Sequence, residues 1–155
     1  MLYQGWEWQW RHVHRRLQAV KDVYAGGPGG TDVAVDVVLS FFQAVHHLKD
    51  WIGNDSATTL TREDGDVLIG EHQALQICAD VANGSKHAVL TERFSPRTND
   101  ADTGVVGNDV WVQVGTGLSA HRFRIRSADK EHDVLDLAEK AVAVWNNFLA
   151  GKGLL

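Results

Sequence analysis

A chain of 155 residues, 44% of them hydrophobic, has room for one domain with its own core and not for two. Charged residues make up 23% and the net charge is -5, which excludes a disordered chain and a protein basic enough overall to be a general nucleic-acid binder. The single cysteine, Cys78, excludes an internal disulfide or a cysteine-built zinc site, and no disulfide-linked partner is expected. The apolar runs are short of a membrane span and the first residues lack a signal-peptide layout, so the expectation is a cytoplasmic protein without membrane contact. Eight histidines and six tryptophans stand out against only two prolines.

Along the chain, Trp6, Trp10, Val13, Leu17, Val20 and Tyr24 recur at steps of four and three, predicting an amphipathic helix over 6–24. Trp8 cannot share that stripe, so it is either an exposed partner surface, such as a dimer contact, or is covered by the C-terminal segment. Gly26-Gly27-Pro28-Gly29-Gly30 ends the helix, and Thr31 or Asp32 can cap a second, apolar over most of its circumference, from about 33 to 52. A polar connection with at most a helical turn leads to a third helix over about 67–86. The period then changes to two. Strands are expected at 88–91, 110–114 and 121–126, with a polar loop over 95–107, and a last helix capped by Ser127 or Asp129 is ended by Gly151. Asp100, Asp102 and Thr103 suggest a calcium loop only faintly, since the distal glutamate is missing.

The candidate site comes from two polar rows. In the second helix Asp36, Ser40, Gln43, His47 and Asp50 are spaced four, three, four and three; in the third, Gln73, Gln76, Asp80, Asn83 and His87 run three, four, three and four. An antiparallel register would set Asp36 against His87, Ser40 against Asn83, Gln43 against Asp80, His47 against Gln76 and Asp50 against Gln73, and a slip of one heptad fits equally well. The rows are either solvent faces or a semi-buried network. Their composition favours the latter, because neither contains the Lys, Arg or Glu that usually furnish exposed helix. His46 lies beside the row, and Lys49 and Lys86 flank it. A cleft lined by His47, Asp50, Asp80, Asn83 and His87 has the composition of a histidine–carboxylate acid/base unit. His47, Asp50, Asp80 and His87 are also the set that would hold a divalent metal, although the paired Glu-x-x-His motifs of di-iron bundles are absent; neither metal nor any other cofactor is expected. Arg122, Arg124 and Arg126 line one side of the last strand, either as a solvent face or as a grip on an RNA backbone.

Residues 78–87, Cys78-Ala79-Asp80-Val81-Ala82-Asn83-Gly84-Ser85-Lys86-His87, together with His46-His47-Leu48-Lys49-Asp50, are similar to an uncharacterised group of small bacterial and phage proteins with an Asp-x-x-Asn-x-x-Lys-His signature. More distantly they resemble the HEPN superfamily of helical domains, many of them metal-independent ribonucleases and toxins. The resemblance covers the second and third helices, under half of the chain. It implies a histidine at His87 acting on the ribose 2′-hydroxyl or the leaving oxygen, Asn83 as a polar motif residue, Asp36 or Asp80 orienting the imidazole and Lys86 stabilising phosphate charge. The family's arginine is missing, because positions 80 to 82 are Asp, Val and Ala. The expected architecture is a mainly α (α+β) domain over 1–155, a four-helix HEPN-like bundle with a small antiparallel hairpin or three-strand insertion at about 88–127. The expected function is a non-catalytic binding or regulatory module, with a second copy of itself or RNA as candidate partners. A metal-independent ribonuclease using His87 is the alternative, and a metal-dependent enzyme at the His/Asp cluster the second.

Overall fold

A computed structural model of the chain describes residues 4–87, 96–99, 103–113 and 115–155. The aromatic stripe of the first helix, α1 (Trp6–Ala25), packs as its period demands, with Trp6, Trp10, Val13, Leu17 and Val20 buried. Its first turn is capped from a distance: Asp55 Oδ2 accepts the Trp6 N–H at 2.8 Å. Gly5 sits at φ 80°, and a Cβ there would come within 2.9 Å of the same carboxylate oxygen, so glycine is needed at that approach.

The second helix, α2 (Thr31–Gly53), is the centre of the core, burying Val38, Phe41, Phe42, Val45, Leu48 and Ile52. Its cap differs from expectation. Thr31 is already helical, and Gly30 takes the cap position without a side-chain hydrogen bond. The single third helix expected over 67–86 is two helices, α3 (Arg62–Glu71) and α4 (Gln73–His87), parted by an extended His72. α3 begins five residues earlier than the apolar pattern suggested, because Thr61 and Asp64 form a reciprocal capping box that starts it. Gly65 lets α3 close on α2, since a Cβ there would lie 2.5 Å from that of Lys49.

The strands form one antiparallel sheet. β1 (Gly27–Pro28) and β2 (Gly104–Gln113) pair with opposite edges of β3 (Leu118–Ser127), and β4 (Lys130–Asp133) also pairs with β3. β3 alternates as its sequence does: His121, Phe123 and Ile125 are buried, while Arg122, Arg124 and Arg126 are exposed. Two expectations are corrected here. Residues 104–107 are strand, not loop, and the β element runs past 127 to Asp133, after which α5 (Val134–Gly151) is capped by Asp133 accepting the Asp136 N–H at 3.0 Å. The proposed caps, Ser127 and Asp129, are instead part of a tight β3–β4 reversal in which Ala128 and Asp129 both have positive φ, 49° and 61°. The strand expected at 88–91 lies outside the described residues. The result is a mainly helical fold with five helices among the described residues and a small four-stranded sheet, rather than four helices with an insertion confined to 88–127.

Tyr24 joins these parts. Its hydroxyl donates to Asp133 Oδ1 at 2.9 Å and accepts the N–H groups of Phe123 and Leu135, both at 3.2 Å, tying α1 to β3 and to the start of α5. Burial, with the Asp133 hydrogen bond assisting, pushes the phenol up to about 12.

Candidate functional site

The two polar rows do not meet in the expected register. α2 packs on α4, but Gln43 donates to Ser85 Oγ at 3.1 Å instead of facing Asp80. Asp36 and His47 are exposed, and Asp50 pairs with Arg62 of α3 at 2.8 Å rather than with Gln73. Gln76 turns back to the Gly70 carbonyl at 2.7 Å, closing the α3–α4 break, and Asn83 is half-buried. The side chains of Lys86 and His87 lie outside the described residues. Much of the α2 row is therefore an outer face, and one member of the α4 row, Asp80, is deeply buried.

Asp80 is the anchor of a different network, whose other members come from a segment with no periodicity. Its Oδ1 accepts the Arg97 N–H at 2.6 Å, and its Oδ2 accepts the Thr98 N–H at 2.9 Å and the Thr98 hydroxyl at 2.5 Å. The single Thr98 hydroxyl proton is spent on Asp80, so Thr98 Oγ1 accepts from Thr103 at 3.0 Å, and Thr103 Oγ1 in turn accepts from Ser127 at 2.9 Å. This one-directional chain runs from β3 to α4. Alongside it, Asp66 Oδ1 accepts from both the buried Lys49 Nζ at 2.7 Å and Arg97 Nη2 at 2.8 Å. Burial alone would push the Asp66 carboxyl up, but the Lys49 hydrogen bond and charge, with Arg97 and Arg62, hold it below the ordinary carboxylate value. The buried Lys49 ammonium is thus paired, as burial of a charge requires.

His46 borders this cluster. Burial first, then the positive fields of Lys49, His47 and Arg97, lower its pKa to about 4, and its buried Nδ1 has no hydrogen-bond partner among the described residues. A histidine so lowered is neutral at pH 7 and a feeble base, the opposite of a group tuned for proton transfer. Cys78 is equally unsuited to chemistry: it is buried, and burial pushes its thiol up. Among the described residues no group of three or more His, Cys, Asp or Glu side chains is placed to hold a metal ion. Of the metal-ligand candidates, His47 faces solvent, Asp50 is held by Arg62 and Asp80 by residues 97 and 98.

The other candidate surface is the sheet. Arg122, Arg124 and Arg126 share its outer face, where Arg122 lies over the Trp111 ring at 5.2 Å and Arg124 pairs with Glu131 at 3.3 Å. Nine large hydrophobic side chains are exposed among the described residues, and six of them, Val105, Val106, Val110, Trp111, Val112 and Leu118, lie on the β2–β3 hairpin. By contrast Trp8 is not a bare surface: it stacks on His12 at 5.2 Å and meets the Trp51 ring at a tilt at 5.4 Å, with Arg15 over its own ring, so α2 contributes to its cover.

Sequence reading missed Asp66, Arg97 and Thr98, gave Thr103 and Ser127 other roles, as part of a faint calcium loop and as a helix cap, and treated Lys49 only as a flank. Asp66 was within reach, since Thr61-Arg62-Glu63-Asp64 is a capping-box signature that places it on a helix. Arg97 and Thr98 carry no periodic signal at all. Compared with protein-family models, with curated proteins and with solved structures, the chain matches none.

Proposed function

We propose that the chain is a non-catalytic binding module that works through its sheet, with the polar side chains between α2, α3 and α4 serving as internal structure. The observation that carries this is the setting of Asp80: a buried carboxyl group with three short donors on its two oxygens, two of them backbone N–H groups, has most of its acceptor capacity taken and little room for substrate. A neutral, low-pKa His46 near Lys49, Asp66 and Arg97 supports the same view. In this proposal α2 and α4 keep a HEPN-like scaffold without the arginine–histidine chemistry, consistent with Asp, Val and Ala at positions 80 to 82. The clustering of exposed apolar side chains on one hairpin favours the sheet as the working surface, because such patches mark interaction sites.

The test is turnover. Wild-type protein and the His87→Ala variant are incubated with a single-stranded RNA oligonucleotide in excess chelator. Both should give the background rate of buffer, whereas cleavage lost on His87→Ala would overturn the proposal in favour of a metal-independent ribonuclease.

A further inference from the structure

Among the described residues the sheet has one long unpaired edge. β2 ends the strand order β1-β3-β2, so among the described residues nothing pairs with its outer side. Natural edges are usually blunted by lysine, proline or a bulge. β2 has its one irregularity between Val105 and Gly107; from there residues 107–113 pair with β3 without interruption, contain neither lysine nor proline, and include one charge, Asp109.

The register also shows an uncovered apolar strip. Val110 lies opposite His121 and Asn108 opposite Phe123, which puts them on the inner face of the sheet with the buried half of β3. Yet Val110 is 43% and Val112 68% exposed, while His121 and Phe123 are 3% and 1%. α1 and α5 pack on β3 and α4 reaches β2, yet Val110 and Val112 keep this exposure.

We infer that the partner is a second copy of this chain, docked by antiparallel β2–β2 pairing about a two-fold axis through Val110; this rests on the sheet being the binding surface. An antiparallel strand is self-complementary under such an axis, so a single edge builds both halves of the interface. Val110 is the midpoint of the uninterrupted stretch, and this register uses all of it. On the inner face Val110 meets Val110 of the other copy, and Asn108 meets Val112. On the outer face Gly107 meets Gln113 and Asp109 meets Trp111. No like charges are opposed, and the charges are complementary: Asp109 of each copy reaches the Trp111 ring over which the other copy's Arg122 guanidinium lies. The two small sheets become one continuous sheet, and both unpaired edges disappear.

Sedimentation velocity at about 100 µM, where even a small interface of micromolar affinity is populated, reads the proposal. The wild type should run mainly as a dimer. Val110→Lys, which sets two ammonium groups against each other on the axis, should reduce dimer to under about a tenth while leaving the far-UV spectrum unchanged. A second variant guards against misfolding: with oxidised glutathione as oxidant, reduced to glutathione as the bond forms, Val110→Cys should give a disulfide-linked dimer, because opposed Cα atoms of an antiparallel pair are about 4.5–5.5 Å apart and within disulfide reach, whereas Val67→Cys, exposed on α3, should not. A monomeric wild type, a dimer indifferent to Val110→Lys, or equal cross-linking at both positions overturns the inference. None of these outcomes bears on catalysis, so the RNA-cleavage test fails or holds independently.

Discussion

Replacing Asp80 by asparagine keeps its volume and removes its charge, which makes it a sensitive probe of whether this residue is structure or chemistry. In the wild type the carboxylate accepts three hydrogen bonds of 2.5–2.9 Å from Arg97 and Thr98. Asparagine offers one carbonyl oxygen and points an NH2 group at donors that formerly met the other oxygen. Hydrogen bonds to a charged group contribute about 1.5–3 kcal/mol each, and at least one is lost with its donor left facing another donor. Because Arg97 is exposed and part of the segment can turn to water, a net loss of about 3 kcal/mol is expected rather than the full sum. For a chain of this size that lowers Tm by about 6–12 °C. Circular dichroism melts measure the drop, and amide exchange at Arg97 and Thr98 should accelerate with it. A variant melting within about 2 °C of wild type would refute the clamp and reopen Asp80 as a functional group.

Two other substitutions test the remaining supports. Tyr24→Phe deprives the Phe123 and Leu135 N–H groups of their acceptor, so a loss of about 2 kcal/mol, or about 4–8 °C in Tm, is expected; an unchanged melt would contradict the role of this hydroxyl in joining α1 to the sheet. His46 has a folded pKa of about 4, below its ordinary 6.5, so the unfolded chain binds its proton first as the solution is acidified. Stability should therefore fall between pH 6.5 and 4, by up to about 3 kcal/mol from this residue. Denaturant titrations of His46→Leu should show a shallower fall over that window, and parallel wild-type and variant curves would dismiss the assignment.

Elements with a strong period were legible in the sequence. The stripe of α1 and the alternation of β3 appear in the structure with the predicted faces, because packing against one core enforces one period. The boundaries that failed are those set by single residues. An extended His72 splits a helix without disturbing its apolar content, and two consecutive positive-φ residues, neither of them glycine, turn an expected helix start into a strand reversal. The polar rows were read correctly as unusual in composition but joined to the wrong partners. Asp80 is buried as a semi-buried network requires, yet its partners, Arg97 and Thr98, are distant in sequence and sit in a stretch with no pattern. Spacing along a helix reports which side chains share a face and not what covers that face.

The division of labour between a structural polar cluster and a binding sheet is tested most directly by amide hydrogen exchange of the wild type at low and high protein concentration. Protection should rise with concentration within 107–113 and stay constant at Arg97 and Thr98, which are already held by Asp80. Concentration-dependent protection at Asn83 and Ser85 of α4, with 107–113 unchanged, would contradict it.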